Sequence, residues 1–183
     1  MKRMLLEGPA VEPVLVVEAK AHLKLDGEEE DTLIGAMIAA ARVSVEAETR
    51  RALIAQSWRA FVDEWPEEGV FLPLAPALSV EAVRAIDVND EPTELGEDEY
   101  EFDIADGSVT IDPVAGAVSY EIDFTAGYGL SGIDVPQPLR QAIRLLVTHW
   151  FENRSAVILG DNPASTPLGY RELIAPYRRL ALC

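Results

Sequence analysis

Residues 135–154 read VPQPLRQAIRLLVTHWFENR, and this stretch decides how the rest of the chain is interpreted. Proline is tolerated in the first turn of a helix, so Pro136 and Pro138 mark a helix start. The apolar side chains that follow recur at helical spacing and are Leu139, Ile143, Leu146, Val147, Trp150 and Phe151. The segment therefore predicts an amphipathic helix over residues 136–154, with two adjacent aromatic side chains at its C-terminal end.

The clearest strand of the chain lies just before this helix. Residues 117–125 read AVSYEIDFT, and their apolar and polar side chains alternate as they do on a strand with one buried face. The apolar face carries Val118, Tyr120, Ile122 and Phe124. A glycine turn, Gly127-Tyr128-Gly129, separates this strand from the helix.

Length and composition favour one globular domain. The chain has 183 residues, of which 49% are hydrophobic and 26% charged, and this balance is not that of a disordered chain. The sequence holds no apolar run of the length that spans a membrane, and its N-terminus is a poor match to a signal peptide. We therefore expect an intracellular protein without membrane contact. The single cysteine, Cys183, excludes a disulfide framework or cysteine metal site within one chain.

The net charge of −17 is concentrated in the middle of the chain. Residues 60–134 hold nineteen Asp and Glu residues and one basic residue, Arg84. Such a block repels a phosphate backbone, so ordinary nucleic-acid binding by this part is not expected. Two interpretations remain open. The block is either a solvated surface that keeps the protein soluble or a surface that must face DNA without holding it.

Two further helices are predicted near the N-terminus, over about residues 18–25 and 28–51. The second is rich in alanine and apolar nearly all round in its central turns, which is typical of a helix buried on more than one side. Either the chain itself wraps this helix, or a second subunit covers one of its faces. The candidate subunit-interface residues are Met37, Ala40, Ala41, Trp150 and Phe151.

These patterns predict an α+β fold that is mainly helical. We expect a helical bundle, formed by the long alanine-rich helix and the C-terminal helix, with a small antiparallel β-sheet inserted between them over about residues 56–125. Residues 1–167 form a single domain in this prediction, and residues 168–183 form a C-terminal tail. The tail is basic and amphipathic, and its anchor candidates are Tyr170, Leu173, Tyr177, Arg178 and Arg179. It either packs on its own domain or docks on another protein.

The sequence offers no motif for catalysis, a cofactor or a metal. His22 and His149 sit in predicted helices beside apolar residues, and neither has a histidine four positions away. No GxSxG motif and no phosphate-binding loop is present. Carboxylates abound in the acidic block, so no single pair of them is informative. We therefore expect a protein that is not an enzyme and has no catalytic, cofactor-binding or metal-binding residues.

An ordered set of segments resembles the head–tail connector, or adaptor, proteins of long-tailed bacteriophages and phage-derived gene transfer agents. The segments are VEAKAHLKLDGEEEDTLIGAMIAAA, RALIAQSW, LPLAPALSVEAV, FTAGYG followed by VPQPLRQAIRLLVTHWFENR, and LIAPYRR. Together they span roughly residues 13–179. The acidic stretch from Glu91 to Asp106 departs from the family pattern.

The resemblance implies a structural protein that assembles as a ring, expected to be twelvefold, beneath the portal. The ring would extend the DNA channel, let DNA pass without specific binding, and offer a docking surface to the tail or to a stopper or tail-terminator protein. Assembly would take place in the bacterial cytoplasm before the protein joins the virion or phage-like particle. The portal would contact the C-terminal tail. An alternative from another class is an acidic DNA mimic that inhibits a DNA-handling enzyme.

Overall fold

The computed structural model describes residues 1–153 and 167–179, which fall into two compact units. The β unit comprises residues 1–10 and 54–128, and the helical unit comprises residues 11–53 and 129–183. Among the described residues, no helix is long and apolar enough to cross a membrane. The end of the predicted helix at Arg154, most of the expected loop after it, and the last four residues of the predicted tail lie outside the described residues.

The β unit contains two antiparallel sheets. Its strands are β1 (Lys2–Glu7), β2 (Gln56–Val62), β3 (Val70–Phe71), β4 (Ala77–Ile86), β5 (Pro92–Glu94), β6 (Tyr100–Asp103), β7 (Ser108–Ile111) and β8 (Ser119–Ala126). A five-stranded sheet has the order β1-β2-β8-β4-β5, and a three-stranded sheet has the order β3-β7-β6.

Strand β8 lies at the centre of the larger sheet, and its alternating sequence explains this position. Tyr120, Ile122, Phe124 and Ala126 are buried, while the residues between them are half-buried. Ile122 lies opposite Ala60 of β2 and Val83 of β4, and all three are fully buried. One face of the sheet therefore forms the core of the β unit, and its polar residues share the other face.

The helical unit contains α1 (Val16–Leu23), α2 (Asp31–Thr49), α3 (Gln137–Glu152) and the short α4 (Tyr170–Ile174). Helix α3 begins after Pro136, with Pro138 in its first turn, as its sequence predicts. Its buried residues are Leu139, Arg140, Ala142, Ile143, Leu146 and Val147. Helix α2 buries Ile34, Ile38, Ala41, Val45 and Thr49, and packs against α1, α3 and α4.

The prediction of a mainly helical bundle with a small inserted sheet is wrong. About 33% of the described residues are helical and 28% are strand, and they form eight strands in two sheets beside four α-helices. All eight strands lie in the β unit, and none of the described helices does. Strand β1 was not predicted because its sequence, KRMLLE, does not alternate between apolar and polar residues. In the structure all six of its side chains are exposed. Residues 80–86 alternate imperfectly because the β4–β8 register shifts between Val80 and Ala82.

Gly127 gives a direct test of the β unit. It has φ +151°, and a Cβ at this position would overlap the backbone of Ile54 and Ala55. We expect Gly127→Ala to lower the free energy of unfolding by at least about 2 kcal/mol, because the side chain adds backbone strain and a steric clash. Gly116 is the matched control, since it also has positive φ (+87°) but nothing within 4 Å of the added Cβ. Gly116→Ala should cost about 1 kcal/mol. Urea denaturation measures both, and equal losses would contradict the close approach at Gly127.

Candidate assembly surfaces

Helix α2 is apolar on two opposite faces, and the described residues of the chain cover only one of them. Ile34, Ile38, Ala41 and Val45 are fully buried in the helical unit. The face turned about half a revolution away carries exposed apolar residues at heptad spacing, namely Leu33, Ala36, Ala40, Val43 and Ala47. We call these five residues the α2 stripe. The stripe contains no charged residue, although it runs along most of a 19-residue helix.

The structure separates the five residues that the sequence suggested for a subunit interface. Ala40 lies on the α2 stripe and is exposed, and Met37 is half-buried at its border. Ala41 is fully buried in the core of the helical unit. Trp150 and Phe151 are half-buried at the C-terminal end of α3. The two adjacent alanines of α2 therefore face opposite environments.

A buried arginine ties α3 to the N-terminal segment of the helical unit. Arg140 donates from Nε to the backbone oxygen of Pro13 at 2.9 Å and from its Nη2 atom to the Glu18 carboxylate at 2.6 Å. Arg144 also reaches Glu18, at 3.2 Å. Partial burial opposes ionisation of Glu18, but the hydrogen bonds from the Leu15 N–H and Arg140 outweigh it and hold the pKa of Glu18 below its ordinary value.

Sequence patterning missed this interaction. The amphipathic pattern of this helix predicts Arg140 and Arg144 on its polar side, because an arginine is seldom buried unless it is paired. The partner, Glu18, lies more than a hundred residues away in the sequence, so no local spacing could reveal it.

The C-terminal segment packs on the end of α2. Tyr170 is fully buried, and its hydroxyl donates to Glu48 at 2.9 Å. Burial and the neighbouring Glu48 carboxylate raise the pKa of Tyr170. Arg51 donates from Nε to the backbone oxygen of Tyr177 at 2.6 Å, and the Arg179 N–H donates to the Thr49 oxygen at 3.1 Å.

The five tail residues singled out from the sequence are thus not equivalent. Tyr170 belongs to the core of the helical unit. Leu173, Tyr177 and Arg179 are half-buried, and Arg178 is exposed. Arg178 is the member of this set whose side chain is open to a partner.

The polar face of the larger sheet carries a row of alternating charges. Asp123 on β8 accepts hydrogen bonds from Arg59 on β2 at 2.6 Å and from Arg84 on β4 at 2.7 Å. Arg59 also pairs with Glu121, and Arg84 with Glu94. Both arginines therefore form ion pairs with carboxylates of the β unit itself. Its exposed turns display unbalanced carboxylates, including Asp63, Glu64, Glu67, Glu68, Glu97, Asp98 and Glu99.

No group of three or more His, Cys, Asp or Glu side chains within residues 1–153 and 167–179 has an arrangement that could hold a metal ion. The candidate functional features described above are surfaces: the α2 stripe, the exposed part of the C-terminal segment, and the acidic turns of the β unit.

The interaction of Asp123 with Arg59 and Arg84 predicts how the stability of the fold depends on pH. Partial burial disfavours the charged form, but the hydrogen bonds from Arg59 and Arg84 outweigh it, so the pKa of Asp123 lies below its ordinary value of 3.8. A carboxyl group whose pKa is lower in the folded state than in the unfolded state stabilises the fold at pH values above its unfolded-state pKa. This contribution is lost as the pH falls from about 3.8 through the folded-state pKa.

We expect Asp123→Asn to lower the free energy of unfolding at pH 7 by about 1.5–3 kcal/mol, because hydrogen bonds to charged groups are lost. The variant should also lose less stability than the natural protein on acidification below about pH 4. Denaturant titrations from pH 7 to pH 2 measure both effects, with the exposed Asp98→Asn as the control for a simple loss of charge. An unchanged acid profile would show that Asp123 does not contribute to the pH dependence.

Comparison with known proteins assigns the chain to a family. The family model described as Head completion protein matches residues 15–163. A chain in the neck of an empty gene transfer agent particle, computed with C6 symmetry, is 27% identical with a TM-score of 0.77, covering 100% of this chain and 98% of that chain. A chain in the neck of a native particle, computed with C12 symmetry, is 28% identical with a TM-score of 0.76, covering 98% and 97%.

A chain in the virion of the native gene transfer agent particle is 26% identical with a TM-score of 0.77, covering 100% of this chain and 98% of that chain. The search of curated proteins gave no match. The resemblance to head–tail connectors is thereby confirmed. The chain belongs to the head completion protein family, and it is a structural connector of the head–tail junction.

Proposed function

We propose that this connector assembles as a ring of identical copies beneath the portal, extends the DNA channel and provides the attachment surface for a tail-side stopper or tail-terminator protein. The similar chains stand in particle necks computed with C6 and C12 symmetry, which supports a ring at the head–tail junction of a particle. A twelvefold ring on the particle is part of the proposal, as is assembly in the bacterial cytoplasm.

The α2 stripe is the observation that carries the ring. A soluble subunit gains nothing from a heptad row of apolar side chains on the outer face of a helix whose other face already fills the core. Exposed apolar surface of this kind marks interaction sites. Small alanine side chains let a neighbouring subunit approach the helix backbone closely. We therefore propose that Ala40, and with it the rest of the α2 stripe, contacts the next copy.

The acidic β unit fits a protein beside passing DNA. The carboxylates of its turns are exposed, and the two arginines of its charge row are paired with carboxylates. A surface of this sign repels phosphates and so does not retain DNA. We propose that part of the acidic surface lines or flanks the channel.

The C-terminal segment is the proposed portal contact. Tyr170 and Ile174 anchor it in the helical unit, while Leu168, Arg171 and Arg178 remain exposed on it. Arginine is well suited to interface contacts because its planar group makes several hydrogen bonds. We retain residues 168–183 as the docking segment, with residues 180–183 outside the described part.

A catalytic role is not part of the proposal, since the family is one of structural neck proteins. The alternative of an acidic DNA mimic is not supported, because both the family match and the neck structures point to the connector.

Electron microscopy of particles produced without this gene tests the function directly. Separate heads and free tails, with heads that lose DNA, are expected because the attachment surface is missing. Intact tailed particles would overturn the proposal.

Adjacent alanines of α2 provide the sharpest test of the ring interface. We expect Ala40→Arg to abolish ring assembly and leave a folded monomer, because the charge would have to be buried between copies at a cost of several kcal/mol. Ala41→Arg should unfold the helical unit, since Ala41 is fully buried. Ala115→Arg, in an exposed turn of the β unit, is the control that should leave the ring intact. Analytical ultracentrifugation and circular dichroism give the readout. Rings formed by folded Ala40→Arg protein would exclude the α2 stripe from the interface.

Arg178 tests the portal contact without disturbing the core. We expect Arg178→Glu to weaken binding to the portal by at least about tenfold, through loss of a charged hydrogen bond and added repulsion, with an unchanged melting temperature. Lys2→Glu makes the same charge change at an exposed site of the β unit and should leave binding unaltered. Truncation before Tyr170 is unsuitable, because Tyr170 and Ile174 are core residues. Portal affinity is measured by interferometry, and equal affinity of the Arg178→Glu variant would remove this residue from the contact.

A further inference from the structure

The helical unit exposes a second apolar surface, separate from the α2 stripe. Leu15 and Val17, at the start of α1, are 59% and 66% exposed. Leu130 and Ile133, in the turn that precedes α3, are 82% and 78% exposed. All four are large aliphatic side chains turned to solvent. We call them the loop patch.

The two halves of the loop patch are held together by backbone contacts. A Cβ added to Gly132 would lie 2.7 Å from the Pro13 oxygen, so this turn lies directly against the segment leading into α1. The same Pro13 oxygen accepts a hydrogen bond from Arg140 at 2.9 Å. The turn is closed by Asp134, which accepts from the Ser131 N–H at 3.0 Å.

Buried valines lie close to the exposed residues of the patch in the sequence, and they hold the exposed side chains toward solvent. Val14 and Val135 are fully buried, and they flank Leu15 and the turn that carries Ile133. The Leu15 N–H donates to Glu18 at 2.9 Å, and Glu18 is held by Arg140. The exposed side chains therefore project from a fixed base. A preformed surface loses little conformational entropy when it binds.

We propose that the loop patch of one copy receives the α2 stripe of the next copy in the ring. This inference rests on the proposed ring and names the second half of its interface. A closed ring of identical subunits uses head-to-tail contacts, so each subunit must present two different and complementary surfaces. Of the apolar surfaces on the helical unit, the α2 stripe supplies one and the loop patch the other.

The two surfaces are alike in chemistry, since both consist of aliphatic side chains. Alanines at positions 36, 40 and 47 leave shallow spaces beside Leu33 and Val43, and aliphatic side chains such as Leu130 and Ile133 fill spaces of this kind. The nine residues that define the two surfaces are all uncharged, and the exposed carboxylate of Asp134 lies beside Ile133 in the same turn. A portal or tail-side protein on the loop patch would instead leave the α2 stripe without its counterpart.

A matched pair of substitutions tests the loop patch. We expect Ile133→Asp to reduce ring formation at least about tenfold, because a carboxylate would be buried without a partner, while circular dichroism shows a folded monomer. Val88→Asp places the same charge at a site of equal exposure, 77%, in the β unit, and should leave the ring unchanged. Full ring formation by Ile133→Asp would overturn the inference.

Photo-cross-linking identifies what covers the patch. Benzoylphenylalanine is placed at position 133 of the full chain, particles are assembled from labelled and unlabelled copies, and cross-linked peptides are mapped by mass spectrometry. Links to residues 33–47 of another copy are expected. Particles with links to the portal, to a tail-side protein or to another region of this chain would overturn the inference and leave the connector function standing. Particles that assemble without this chain would overturn the proposed function itself.

Discussion

Burial of one face of α2 is the constraint on which the helical unit depends. Ile34, Ile38, Ala41 and Val45 are fully buried, and α1, α3 and α4 all pack against this helix. The opposite face of α2 is apolar as well, but it is exposed to solvent. The covered face contributes to the stability of the monomer, and the exposed stripe is the surface that we propose for association. The two faces divide between Ala40, which is exposed, and Ala41, which is fully buried, so in the proposed ring these adjacent residues serve assembly and folding respectively.

Electrostatics divides the protein in a second way. In the helical unit, charged groups are used in long-range pairs, such as Arg140 with Glu18 and Arg42 with Glu12. Asp123, Arg59 and Arg84 do the same on the polar face of the larger sheet. Those interactions hold strands and segments that are distant in sequence. The remaining carboxylates, in the turns of the β unit, are mostly exposed, and they form the acidic surface that we propose lies near DNA.

The sequence predicted the helices and the central strand but not the balance of the fold. The prolines before α3 and the alternation in β8 are local signals, and both were interpreted correctly. Strand β1 has six exposed side chains and carries no such signal, so the strand content was underestimated. The apolar character of α2 was evident, but a helix that is apolar all round does not reveal which alanine faces the core. The partners of Arg140 and Tyr170 lie more than a hundred residues away, and local patterns are blind to such pairs. The loop patch was missed because its four residues come from two distant segments.

The distribution of charge explains why assembly should rely on apolar surfaces. Each copy has a formal charge of −17, so neighbouring copies repel one another at every distance within the screening length. Salt bridges at the surface contribute little to the free energy of association. Arg59 and Arg84 already have carboxylate partners within the β unit. An attraction that does not depend on charge must therefore bring the copies together. The residues that define the α2 stripe and the loop patch are uncharged, so the contacts that we propose for them depend on buried apolar area rather than on charge. In this proposal, the acidic surface that faces DNA and the apolar surfaces that bind neighbouring copies are different parts of the protein.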